Sequence, residues 1–79
     1  MWSEGVIGIP NKNGSYTSCK YCVKHFEEGS EWGINGGRIS KLEIRVNGRI
    51  TANYDRGWDI EPKDEPSQLA LCILLNNYN

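Results

Sequence analysis

The chain has 79 residues, 24% of them charged, with a net charge of −1 and a pI near 5.7. A domain of this length holds one modest core, burying only about 60–65% of its unfolded surface, and its slightly acidic balance argues against attachment to nucleic acid or anionic lipid by bulk charge. No apolar run approaches the roughly 20 residues of a membrane span, and Met1-Trp2-Ser3-Glu4 lacks the basic start and apolar stretch of a secretory signal, so the expected location is the cytoplasm.

In chain order, a first strand is expected over 2–9, closed by Pro10 and followed by Asn11-Lys12-Asn13-Gly14-Ser15, a turn with the Asn-Gly signature of a hairpin. The second strand, 16–26, is rich in β-branched and aromatic residues. It contains Cys19-Lys20-Tyr21-Cys22-Val23-Lys24-His25, whose C-x2-C-x2-H spacing suggests zinc at first sight. Strand geometry opposes that reading, because it puts Cys19 and His25 on one face and Cys22 on the other, and no second ligand pair follows. Cys19 and His25 also lie too far apart along the strand to act as a nucleophile and its base. No metal and no cofactor are expected, and the odd count of three cysteines reads as reduced thiols.

The segment from Glu27 to Gly37 is a long glycine-rich connection. It lacks the order of a phosphate-binding loop and the strand-loop-helix context of a dinucleotide fingerprint, and reads as a flexible link. Strands three and four, 38–45 and 49–55, flank Asn47-Gly48. A two-residue turn there would pair Val46 with Arg49 and mix core with polar surface. A three-residue loop with Gly48 as a left-handed bulge instead pairs Arg45 with Arg49, Ile44 with Ile50, Leu42 with Ala52 and Ser40 with Tyr54, and is the register expected. Leu42, Ile44, Ile50, Ala52 and Tyr54 then share a core face with Tyr21 and Val23. The opposite face carries Lys20, Lys24, Lys41, Glu43, Arg45, Arg49, Thr51 and Asn53.

After an acidic linker, Asp64-Glu65-Pro66 starts the only helix, 65–78. With Leu71, Cys72, Leu75 and Tyr78 toward the sheet, Leu69 and Ile73 fall to one side and Leu74 to the other, leaving apolar surface for a homodimer through the helix. The expected fold is α+β, a single ββββα domain over 1–79: a four-stranded antiparallel sheet of two hairpins with the helix packed on one face.

Extending the second hairpin brings Arg38 opposite Arg56, and the glycine loop meets the Tyr54-Asp55-Arg56-Gly57-Trp58-Asp59 exit at one end of the sheet. Trp32, Asn35, Arg38, Asp55, Arg56 and Trp58 are the candidate partner-binding residues there. The run G-I-N-G-G-R-I-S-K-L, followed across an N-G turn by N-Y-D-R-G-W-D-x-E-P, resembles a family of small proteins of Gram-positive bacteria, their phages and mobile elements. The resemblance covers Phe26 to Tyr78 and implies no established activity. By analogy, it implies a setting in which small proteins obstruct host defence complexes, as anti-CRISPR proteins do.

Three function classes follow. The first is a non-enzymatic protein-binding module, plausible as an inhibitor of a bacterial defence system, using the Arg-Gly-Trp end as a hot spot. The second is a nucleic-acid binder using the basic face of Lys20, Lys24, Lys41, Arg45 and Arg49. The third, an enzyme, is disfavoured, because the one histidine has no nucleophile or carboxylate at a suggestive spacing, and a purely structural protein is the remaining alternative.

Overall fold

The computed structural model describes residues 1–79. β1 (Trp2–Pro10), β2 (Tyr16–His25), β3 (Ile39–Val46), β4 (Arg49–Asp55) and β5 (Trp58–Ile60) form one antiparallel sheet in sequence order, and α1 (Glu65–Tyr78) packs on one face of it. The α+β architecture with a single antiparallel sheet and a C-terminal helix matches expectation, but the sheet has five strands and not four. The fifth arises because the chain reverses at Asp55-Arg56-Gly57, where Asp55 N–H donates to the Gly57 carbonyl at 2.9 Å and Arg56 adopts φ 56°. Trp58 and Ile60 then pair back onto Tyr54 and Asn53. No helix is long and apolar enough to cross a membrane.

The two hairpins turn differently. In the first, Asn11 N–H donates to the Ser15 carbonyl at 2.7 Å, leaving Lys12-Asn13-Gly14 as a three-residue loop with Gly14 at φ 87°. In the second, Asn47 (φ 53°) and Gly48 (φ 79°) form a two-residue turn and Val46 does pair with Arg49. The expected three-residue register is therefore wrong. The extra residue sits inside β4: Arg45 pairs with Ile50 and Ile44 with Ala52, so Thr51 is bulged. Leu42, Ile44, Ala52 and Tyr54 still share the buried face, but Ile50 swings to the other side, where it is 38% exposed.

The core gathers Cys19 and Val23 from β2, Ile39, Leu42 and Ile44 from β3, and Ala52 and Tyr54 from β4 under Ala70 and Leu74 of the helix. Asp64 caps α1, its carboxylate accepting from Ser67 N–H at 3.0 Å. The expected helix phase needs correction. Ser67, Ala70 and Leu74 are buried, Leu71, Leu75 and Tyr78 pack beside them, and Cys72 faces outward. Small residues at 67 and 70 let the helix approach the sheet closely, and Ser67 Oγ donates to Thr51 Oγ1 at 2.7 Å, tying the β4 bulge to the helix. Leu69 and Ile73 remain outside the core.

The glycine-rich connection is not a loose link. Ile34 is buried, Gly33 N–H donates to Ser30 and Gly37 N–H to Ile34, and Asn79 at the end of the helix clamps the segment. Its Nδ2 donates to the Ile34 carbonyl at 3.0 Å and its Oδ1 accepts from Ile39 N–H at 3.0 Å. A Cβ on Gly33 would run into the Gly37 carbonyl, so the turn needs glycine there because of close approach and not positive φ.

Candidate binding face

α1 covers one face of the sheet and leaves the other open. β-pairing lays the open face out in rows. Trp2, Lys24, Lys41 and Asp55 are opposed in turn across β1 to β4; next come Glu4, Cys22, Glu43 and Asn53; then Val6, Lys20, Arg45 and Ile50. Directly opposed residues point the same way, so Lys24 meets Lys41 and Lys20 meets Arg45 as like-charge pairs, an arrangement that costs stability in a sheet. Compensation is local. Lys24 Nζ lies 5.9 Å from the Trp2 ring centroid and 5.5 Å from that of Phe26. Lys41 Nζ is 3.8 Å from Asp55 Oδ1, and Arg45 Nε donates to Glu43 Oε2 at 2.8 Å. These ion pairs are exposed and contribute little.

Of the expected basic face, Lys20, Lys24, Lys41 and Arg45 are co-facial and Arg49 is not. Its pairing with Val46 puts Arg49 on the helix side, at the sheet's end, and Thr51, bonded to Ser67, also faces the helix.

The expected end cluster divides. Trp32 and Arg56 line one cleft of about 380 Å³ with Lys24, Phe26, Ser40 and Lys41. Asp55 sits at its rim, paired to Lys41 at 3.8 Å and to Arg56 at 3.7 Å. Trp58 supports the cleft indirectly: its ring packs edge-on against Tyr54, centroids 5.2 Å apart, and the Tyr54 hydroxyl donates to the Trp32 carbonyl at 2.8 Å. Asn35 is exposed at a left-handed turn (φ 53°) and takes no part. Nor does Arg38 meet Arg56. Arg56 N–H instead donates to the Ser40 carbonyl, while Arg38 lines a separate hollow with Met1, His25, Phe26 and Glu27. The sequence reading missed Trp2 and Phe26. The signal was available, because a three-residue loop at Lys12-Asn13-Gly14 pairs Trp2 with Lys24 by counting back along the hairpin.

Cys19, Cys22 and His25 do not converge. Cys19 is buried, its Sγ donating to the Pro66 carbonyl at 3.8 Å, and burial followed by Asp64 pushes its thiol pKa up. Cys22 lies on the open face, with its thiol also pushed up, by burial and then by Glu4 and Glu43. His25 stacks on Tyr78, centroids 4.8 Å apart, with Nε2 3.0 Å from Ser3 Oγ. Burial, the N-terminal amine and Arg38 hold its pKa below the ordinary 6.5. No three His, Cys, Asp or Glu side chains gather as a metal site requires.

A family model for a domain of unknown function, DUF7678, matches residues 1–79. The chain belongs to the DUF7678 family. No curated protein and no solved structure matches it. The DUF7678 match spans all five strands and the helix, so the open face and its cleft both lie within the family's domain.

Proposed function

We propose that the chain is a non-enzymatic binding module that engages an acidic protein surface through the Trp32–Arg56 end of its open face. The observation that carries this reading is the opposed pair Lys24 and Lys41 at the cleft, set among Trp2, Phe26 and Trp32, which are 56%, 48% and 57% exposed. Cations facing one another across adjacent strands repel, and an anion seated between them removes that cost. Exposed Trp and Arg around a cleft are the residue types that dominate binding energy at interfaces.

The charge pattern favours protein over nucleic acid. Glu4 and Glu43 occupy the row between the two cation rows, and Asp55 stands at the rim. A phosphate chain running along the strands would cross those carboxylates, whereas an acidic protein patch offers anions at separate positions. Against an enzyme stands the setting of Ser3 and His25, the one hydroxyl–imidazole contact: the ring lies against Tyr78, and the cationic groups near it oppose the protonation that a general base must undergo. The resemblance of the YDRGWD region to phage and mobile-element proteins makes a component of a bacterial defence complex the partner class to test first.

The test is capture from bacterial lysate on immobilised protein after nuclease treatment, comparing the parent with Arg56→Ala and Lys41→Glu. The expected result is a protein retained by the parent, released by salt, and lost with both variants while their circular dichroism is unchanged. Recovery of nucleic acid alone from untreated lysate would instead support the basic-face alternative through Lys20, Lys24, Lys41 and Arg45.

A further inference from the structure

The two edges of the sheet are unlike. β5 is three residues long, carries Asp59 and runs into Glu61-Pro62, features that blunt an edge against pairing. β1 is nine residues long, its pairing with β2 runs without a bulge, its single charge is Glu4, and its proline stands at the far end.

Hydrogen bonds at both ends of the first hairpin fix which backbone groups of β1 are unpaired. The Met1 amine donates to the His25 carbonyl at 3.1 Å, His25 N–H donates back to Met1 at 2.9 Å, and Asn11 N–H donates to Ser15 at 2.7 Å. The unbroken register between these ends makes Ser3, Gly5, Ile7 and Ile9 the hydrogen-bonded partners of β2. The N–H and C=O groups of Trp2, Glu4, Val6 and Gly8 therefore point away from the sheet.

We propose that β1 pairs antiparallel with β1 of a second copy about a two-fold axis at Gly5, joining the two sheets into one. The strand is complementary to itself in that register and in few others. Trp2 pairs with Gly8 and Glu4 with Val6, so all four outward residues of each copy form hydrogen bonds. Shifting one way sets Glu4 against Glu4 of the partner, a like-charge contact. Shifting the other way sets Trp2 against Pro10, which has no N–H to give.

The Gly5-centred register also covers apolar surface. Tyr16 leans over Gly8, where a Cβ would lie 3.6 Å from its ring, and Tyr16 is 70% exposed. Trp2 of the second copy would lie across the same glycine and against that ring, the aromatic covering a bare strand position. The two open faces would then form one continuous surface with a cleft at each end. The hydrogen bonds of the pairing use backbone groups at the edge, and Trp2 is the one side chain the pairing shares with the binding face.

Sedimentation equilibrium from micromolar to millimolar concentration tests the pairing, with Val6→Pro as the decisive variant. Val6 N–H bonds to nothing within one chain in this register, so proline removes one outward donor per copy and no bond of the monomer. The expected result is a parent monomer–dimer equilibrium whose dissociation constant rises about tenfold or more in Val6→Pro, from the loss of two intermolecular bonds. Amide exchange at Trp2, Glu4, Val6 and Gly8 should slow as the parent is concentrated. A parent that stays monomeric throughout overturns the proposal, as does a dimer that survives Val6→Pro and dissociates in Ile73→Glu. Should Val6→Pro fail to fold, exchange in the parent decides: concentration-dependent protection of those four amides supports the pairing, and its absence overturns it.

Discussion

The two faces of this sheet are built from the same strands and obey opposite rules. On the helix side, Cys19, Val23, Ile39, Ile44 and Ala52 are 0% exposed and no buried side-chain polar atom lacks a partner. On the open side, lysine faces lysine and aromatic rings stand in solvent. Native packing resolves conflicts where stability is at stake, and the conflict left on one face alone is what motivates the binding proposal made for it. The contrast also separates the domain into a scaffold and a surface, and substitutions should sort accordingly.

The largest effect belongs to the scaffold. Leu74 is fully buried between helix and sheet, so Leu74→Ala should cost about 2–5 kcal/mol in urea unfolding, with much of a small domain's stability lost. Ile50→Ala on the open face should cost about 1 kcal/mol or less. Equal costs would erase the distinction between the faces. The turn that assigns residues to those faces comes next. Gly48 has φ 79° with open space where a Cβ would sit, so Gly48→Ala should lose about 1 kcal/mol through backbone strain alone, again by urea titration.

How much of this was legible in the sequence depends on how local each signal is. The helix start is written in Asp64 and Pro66, and strand alternation identifies Leu42, Ile44, Ala52 and Tyr54 as one apolar face. Putting these four together requires one extra residue somewhere in the second hairpin. Alternation does not say whether it lies in the turn or inside β4. The contacts of the Thr51 hydroxyl with Ser67 at 2.7 Å and the Ile44 carbonyl at 3.4 Å favour the strand, and those are tertiary. The two-residue turn moved Arg49 off the basic face and Ile50 onto it, and the bulge at Thr51 returned Ala52 and Tyr54 to the core face. The helix phase failed for a related reason: apolar residues surround α1, and the small Ser67 and Ala70, not the largest side chains, mark its contact line. At the candidate site, Trp32, Asp55 and Arg56 were within reach of motif reading, whereas Trp2 joins through the pairing of β1 with β2 and Phe26 through its place two residues beyond Lys24, held by its N–H to the Arg38 carbonyl.

A smaller effect sharpens the scaffold's limits at the end of β2. With the folded pKa of His25 held below 6.5, the native state prefers the neutral ring, first because of burial and then because of the N-terminal amine and Arg38. Stability from this source is complete above the ordinary histidine range and declines as pH falls below 6.5, where the unfolded chain takes up the proton first. The melting temperature should therefore fall on acidification through that range, and His25→Gln should flatten this part of the profile. An unchanged slope in the variant would assign the pH dependence to the carboxylates instead.

The smallest expected effect is the most direct probe of the open face. Lys41 stands opposite Lys24 and makes only an exposed 3.8 Å pair with Asp55, so Lys41→Gln removes a like-charge contact and loses little in exchange. Stability should stay level or rise by a few tenths of a kcal/mol at low salt. The difference should shrink in about 1 M salt, where the Debye length is near 3 Å. Adding Lys24→Gln should bring no further gain, because the repulsion is already gone and the cation between Trp2 and Phe26 is lost with it. A loss above about 1 kcal/mol in Lys41→Gln would make this lysine part of the scaffold. The opposed cations would then need no external anion to account for them, and the open face would lose its strongest argument for a partner.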